Sequence, residues 1–352
     1  MCGDPEGLPA FKVWGRCAMR YAVLLILLAS VAFSCSDFAY QEPESDQTRV
    51  SVKFEGVRDV GTFTVLAGRL VNSLHYVWSA DSVMSVRVGE YYAVAFSQTD
   101  SVYVMDGLDE FRNDPSVSMK DIYVSLPELP EEEQHGISDH NPYAPFVGQA
   151  SKPLYFDFRK FSAQDSVATV SFSPKDMTQH LTFRLNVKAA NGVMITEVKA
   201  SLTGVAGRVR LMSGLVRNDV ENPTYKQYVE MERVSGSVYE GSVRVLGLFP
   251  SESEKYKAGP GILHLDVHAS VMDDDDYMHE RIFHAGINLK TFIEEAGLME
   301  KAEDGSGFRI TRNRAVIDIP ALLEVSRDKV VSGAGDGFEQ WFVHEEKIEV
   351  DV

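Results

Sequence analysis

The sequence predicts a mostly β protein built from β-sandwich domains, and three observations carry that prediction. Apolar residues recur at every second position over short stretches, as in Val50, Val52 and Phe54 or Leu263, Leu265 and Val267. This is the period of a strand with one buried face. Gly, Asp and Asn bound these stretches at intervals of roughly 8–15 residues, close to the spacing of hairpin-connected sandwiches. Only 291–301, with Phe292, Ile293, Ala296 and Leu298, carries near-helical spacing.

In chain order, the first feature is a targeting segment. Arg16 and Arg20 lead into thirteen almost wholly apolar residues, 21–33, which end at Ser34 directly before Cys35. Crossing about 30 Å of hydrocarbon takes about 20 residues. Ser36, Asp37 and the polar 41–46 rule out an extension, so the run reads as a secretory signal and not a membrane span. Ala32-Phe33-Ser34-Cys35 resembles the signal of bacterial lipoproteins, whose cysteine takes a diacylglycerol. That resemblance implies removal of 1–34 and covalent lipid, including palmitate-type chains, on Cys35. The competing reading is an ordinary signal peptide with a free cysteine near the cut. Each buried methylene contributes about 0.8 kcal/mol and a single chain holds only marginally, so two or three chains give durable attachment. Residues 1–18 mix charge with Gly and Pro and do not fit a signal peptide, which makes Met19 the expected start.

Removal of 1–34 leaves 318 residues, enough for about two domains. The leader holds two acids (Asp4, Glu6) and three bases (Lys12, Arg16, Arg20), so its loss takes the net charge from −18 to −19. Such a charge favours solubility and repels nucleic acid. The cysteines are Cys2, Cys17 and Cys35, and only the last survives processing, so the mature chain has neither a disulfide nor a Cys-ligated metal.

Residues 35–49 read as a lipidated tether, polar and acidic with one proline; fully extended, 36–49 reaches at most about 50 Å. Alternation begins at Val50 and continues through Phe63 and Val65, then Val83, Val86 and Val88. It is clearest in Gly89-Glu90-Tyr91-Tyr92-Ala93-Val94-Ala95-Phe96, and 101–105 and 121–126 add two more strands. Residues 50–127 form the expected N-terminal sandwich. Residues 128–146 lose periodicity and read as a connection, since structureless loops of this length are uncommon inside one domain. Residues 147–352 form the expected C-terminal sandwich, with strands at 167–172, 178–188, 195–201, 207–211, 225–233, 237–248, 261–272, 277–289, 309–319 and 340–352.

Chemistry-bearing motifs are sparse. No Gly-x-Ser-x-Gly, Walker or His-Glu-x-x-His motif occurs, and His279 and His284 are spaced by five, which fits no single helix face. Gly333-Ala334-Gly335-Asp336-Gly337 precedes a strand-like segment, so it reads as a hairpin connection and not a phosphate loop. Asp273 to Asp276 reads as an acidic hairpin tip, with a divalent-cation loop as the competing reading. His135 and His140 read as solvated loop residues. His264, Asp266 and His268 share one face of a strand whose other face is apolar; the readings are a solvated sheet face or a metal or catalytic site. A tight hairpin would set the Arg281 cation opposite His268, which argues against a metal. No cofactor beyond the lipid on Cys35 is expected, and no enzyme activity.

Several stretches resemble the fimbrillin-like lipoproteins of the Bacteroides group: Gly89 to Phe96, Ala200-Ser201-Leu202-Thr203-Gly204-Val205-Ala206, and the closing Gly337 to Val352 with Trp341. The resemblance implies two tandem transthyretin-like sandwiches of the Ig-like topology class, held at the outer membrane and displayed on the cell surface. It implies a role in fimbrial anchoring, assembly or adhesion, with fimbrial subunits or other surface proteins as partners. Arg49 occupies the place of a processing site for an Arg-specific protease in similar subunits. An open sheet edge presents unpaired backbone groups to a partner's strand. The alternating Ile348, Val350 and Val352 form either a resident or an exchangeable edge strand. A different reading is a glycan-binding surface lipoprotein in nutrient uptake, with Trp78, Tyr91 and Tyr92 stacking on sugars; a third is a metal-dependent hydrolase using His264, Asp266 and His268.

Overall fold

A computed structural model describes residues 47–56, 62–69, 74–79, 83–97, 102–134, 145–256, 258–272, 277–333 and 342–347. The chain from Thr48 onward forms one compact unit. Its first strands are β1 (Gln47–Phe54), β2 (Phe63–Arg69), β3 (His75–Ser79), β4 (Met84–Arg87) and β5 (Gly89–Ser97). Then come β6 (Val104–Asp106), helix α1 (Leu108–Asn113), β7 (Tyr123–Ser125), β8 (Tyr155–Ala163), β9 (Val167–Phe172) and β10 (Lys175–Asp176).

A three-stranded sheet, β4-β1-β9, faces a five-stranded sheet, β10-β8-β5-β2-β3. Val50 and Val170 meet Val65, Ala93, Tyr91 and Phe161 in the core between them. The second face of β2 and β5 is also covered, because Leu66, Val94 and Phe96 join a separate cluster with Tyr103, Phe111 and Met119. Burial on both faces explains why Ala93 to Phe96 is a continuous apolar run, with the small alanines on one side and Val94 and Phe96 on the other.

Strands β8 and β9 fall in the stretch expected to belong to the C-terminal sandwich. Their ladders place them elsewhere: β8 runs antiparallel to β5, and β9 runs parallel to β1 from Arg49↔Val167 to Phe54↔Phe172. Of the 128–146 stretch, 128–134 and 145–146 are described. Its ends close on each other through Leu129 N–H to Phe146 O (2.8 Å) and Gly148 N–H to Pro127 O (2.9 Å).

The remaining strands are β11 (Gln179–Ala189), β12 (Val193–Ala206), β13 (Arg208–Arg210), β14 (Leu215–Val216), β15 (Thr224–Ser235), β16 (Val238–Val245), β17 (Ile262–Met272) and β18 (Met278–Asn288). After helix α2 (Lys290–Ala296) follow β19 (Met299–Lys301), β20 (Phe308–Ile310), β21 (Arg314–Val325), β22 (Val330–Gly333) and β23 (Phe342–Lys347). Nine of these form one ladder, β22-β21-β11-β16-β15-β12-β17-β18-β23. It turns a corner along β15, whose first part, up to Glu230, pairs with β12, while Met231 onward pairs with β16. Phe183 and Leu185 of β11 thereby share a core with Leu202, Leu265, Phe283 and Ile319.

A six-stranded sheet, β19-β20-β14-β13-β7-β6, joins strands from both halves of the sequence. The expected helix 291–301 is cut short at Gly297, whose φ of 57° puts it in the left-handed conformation that ends helices. Met299–Lys301 is then free to pair with β20.

Gly204, inside the stretch resembling the fimbrillin-like proteins, sits at a bulge between Thr203 and Val205 with φ +83°. A Cβ there would stand 2.5 Å from Gly261 N and 2.7 Å from Phe249 O. Thr203 Oγ1 fastens the same crossing, donating to Gly259 O at 2.6 Å and accepting from Ile262 N–H at 3.0 Å. Only glycine fits that approach.

Candidate functional site

The nine-stranded ladder ends on an outer strand, β23. β18 is eleven residues long, and β23 pairs antiparallel with six of them, from Arg281↔Lys347 to Gly286↔Phe342. Nothing follows β23 in the ladder among the described residues, so it is an edge strand resident on β18. The expected partner-strand residues Ile348, Val350 and Val352 lie outside the described residues, as do Trp341, Cys35, His135, His140, Asp273 to Asp276 and the 334–337 part of the glycine-rich stretch. Among the described residues no helix is long and apolar enough to cross a membrane.

Next to this edge lies the polar face of β17. Alternation correctly segregates His264, Asp266 and His268 from Leu263, Leu265 and Val267, but the polar face is not solvated: His264 and Asp266 are each 2% exposed. His268 is half-buried, and burial, reinforced by the Lys199 ammonium, holds its pKa below the ordinary imidazole range. The hairpin register places Ile282, not Arg281, opposite His268, and sets His284 opposite Asp266. The Asp266 carboxylate is engaged by His284 Nδ1 at 2.7 Å, with His284 itself 4% exposed. Arg281 instead donates through Nη1 to Arg327 O at 2.5 Å.

His284 is the residue that sequence reasoning missed. A one-residue error in hairpin register moves every pairing to the wrong face, and the length of the turn is not written in the alternation. Among the described residues no group of three or more His, Cys, Asp or Glu side chains is placed to hold a metal. What the arrangement does chemically is join β17 to β18: a buried carboxylate held by a buried imidazole links two strands and offers no open face to a substrate.

The aromatic residues expected to stack on sugars are for the most part core. Tyr91 is fully buried, donates from Oη to Arg87 O at 2.6 Å and stacks on Phe161 at 5.1 Å. Trp78 is buried in the same core. Tyr92, half-buried, is covered by Phe158 at 5.6 Å, with Lys160 Nζ 5.0 Å from the ring centre.

No family model matches the chain, and no curated protein matches it. Among solved structures it is similar to a candidate adhesin from Bacteroides ovatus, at 14% identity and TM-score 0.48, covering 81% of this chain and 93% of that one. It is also similar to a candidate polysaccharide-binding protein from Bacteroides thetaiotaomicron, at 12% identity, TM-score 0.45, and 86% and 98% coverage. A third is the fimbrial anchor protein Mfa2 from Porphyromonas gingivalis, at 12% identity, TM-score 0.44, and 84% and 97% coverage. These neighbours are of the fimbrillin-like kind that the sequence stretches resemble.

Proposed function

We propose that this chain is a non-catalytic surface protein serving adhesion or fimbrial assembly, tethered to the outer membrane by lipid on Cys35 and engaging a partner's strand along β23. The observation that carries the reading is the position of β23: a six-residue strand that, among the described residues, is the outermost member of the ladder. A resident edge strand presents one row of backbone N–H and C=O groups to its neighbour and the other row outward, which is what strand addition uses. The lipoprotein-like Ala32 to Cys35 and the acidic tether support attachment at a distance from the membrane surface. The burial of Asp266 and His284, and their contact with each other, support a structural role for this pair.

Fractionation of cells carrying the wild-type chain or Cys35→Ala, with protease treatment of intact cells, tests the anchoring half. The wild type is expected in the outer-membrane fraction and cleaved from outside, and the variant is expected to leave that fraction. A wild-type chain that stays protected on intact cells contradicts surface display.

A further inference from the structure

Away from the β23 edge, a cleft of about 790 Å³ opens between the β8–β10 side of the five-stranded sheet and the β13–β14 turn with β20 of the six-stranded sheet. Phe156 and Phe158 lie two residues apart on β8 and so share a face, and Lys175 stands directly opposite Phe156 on β10. The Phe156 ring lies against Gly214, whose φ is +66°; a Cβ there would be 2.8 Å from the ring, so glycine lets the aromatic form the wall.

The cleft's charge runs against that of the molecule. Lys120, Lys175, Arg210 and Arg309 line it, and none makes an ion pair among the described residues. The carboxylates around it are already engaged. Asp157 takes Arg159 at 2.8 Å and Ser173 N–H at 2.6 Å; Asp176 takes Thr178 Oγ1 at 2.6 Å and lies 3.5 Å from Arg244; Asp304 takes Ser306 Oγ at 2.5 Å. Four cations thus face three carboxylates in the lining, two of which, Asp157 and Asp176, also lie beside Arg159 and Arg244. The cleft is therefore locally positive in a chain of net charge −18, with Arg309 acting through space on Asp304. Arg210 is also held in place: Nη2 donates to Tyr123 Oη at 2.8 Å and the guanidinium lies 5.4 Å from that ring's centre. A fixed guanidinium recognises a carboxylate or sulfate with little ordering cost.

We infer that this cleft binds an anionic saccharide, a chain of sugars bearing carboxylate or sulfate groups. The cations meet the acidic groups, and the two phenylalanine rings meet the apolar C–H faces of the pyranose units. The remaining lone pairs of the lining carboxylates, with Asn313, accept from the sugar hydroxyls. Those hydroxyls separate a sugar from an acidic peptide, whose side chains bring the same negative charge but no rows of hydroxyl donors for Asp157, Asp176 and Asp304. The inference is independent of the strand-edge reading, which concerns β23.

Calorimetric titration of the purified mature chain with oligogalacturonate, hyaluronan and chondroitin sulfate oligosaccharides tests it, with neutral cellohexaose and polyglutamate as comparisons. At least one anionic sugar is expected to bind, with affinity falling at least tenfold from 50 to 300 mM salt and neither comparison binding. Lys175→Gln and Arg309→Gln, at exposed positions, are expected to weaken binding together by at least tenfold at an unchanged thermal midpoint, and Phe158→Ala to weaken it further. Lack of binding by all three anionic sugars, insensitivity to these variants, or polyglutamate binding as well as the sugars would each overturn the proposal. No cleft-lining residue lies on β23, so loss of sugar binding in Lys175→Gln and Arg309→Gln with retained partner assembly separates the two readings.

Discussion

β11 and β17 are both eleven residues long and read almost identically in sequence, one apolar and one polar face each, yet they live in different surroundings. In β11 the apolar positions Leu181, Phe183, Leu185 and Val187 are buried, and the other face meets water, with Arg184 and Glu240 paired on it at 2.7 Å. In β17 the apolar positions are buried in the same core, but His264 and Asp266 are buried as well. Alternation reports that two faces differ in polarity; it does not report that the polar face is wet. A buried polar face must be satisfied internally, and the Asp266–His284 contact is one way this one is.

Because of that difference, substitutions on the two polar faces are expected to behave unequally. The largest effect is expected from Asp266→Ala or His284→Ala. Removing one member of a buried pair costs about 3–5 kcal/mol, read as a lowered urea midpoint at unchanged slope. Tyr91→Phe, which removes a hydrogen bond to Arg87 O in the N-terminal core, is expected to cost about 1 kcal/mol in the same assay. The pH response comes next. His268 and His180 both have pKa values lowered by burial as the first cause, with Lys199 assisting at one and Arg244 and Arg314 at the other. The unfolded chain therefore binds more protons than the folded one below about pH 6.5, and stability is lost as pH falls from there through the lowered folded values. Glu197, Asp266 and Glu280 oppose the shift at His268 without reversing it. His268→Gln is expected to flatten that slope in denaturation curves taken between pH 7.5 and 5. Arg184→Ala, on the exposed face of β11, is expected to change the midpoint least, and an effect as large as that of Asp266→Ala would erase the comparison.

The same contrast explains what was legible beforehand. Long alternating strands were readable: 178–188, 261–272 and 277–289 correspond to β11, β17 and β18 within about one residue. Sheet membership was not. β9 pairs with β1 across more than a hundred residues, and parallel pairing leaves no turn to announce it. Tyr155–Phe172 therefore reads as the opening of a C-terminal sandwich, while its strands pair with β5 and β1. Of the candidate site, the shared face of His264, Asp266 and His268 was visible, whereas His284 and the burial were not, because both depend on hairpin register and on neighbouring elements. The cleft lined by Phe156, Lys175 and Arg210 draws on three separated segments, which no local pattern connects.

The most direct test of the proposed strand edge is amide hydrogen exchange over Phe342–Lys347, measured on the purified chain alone and again after mixing with purified fimbrillin-type subunits. The account predicts that these amides exchange more slowly in the complex, since a second strand would take up the outward-facing row of β23 while the inner row stays on β18. Unchanged exchange in β23, with new protection confined to another edge such as β3 or β22, would contradict it.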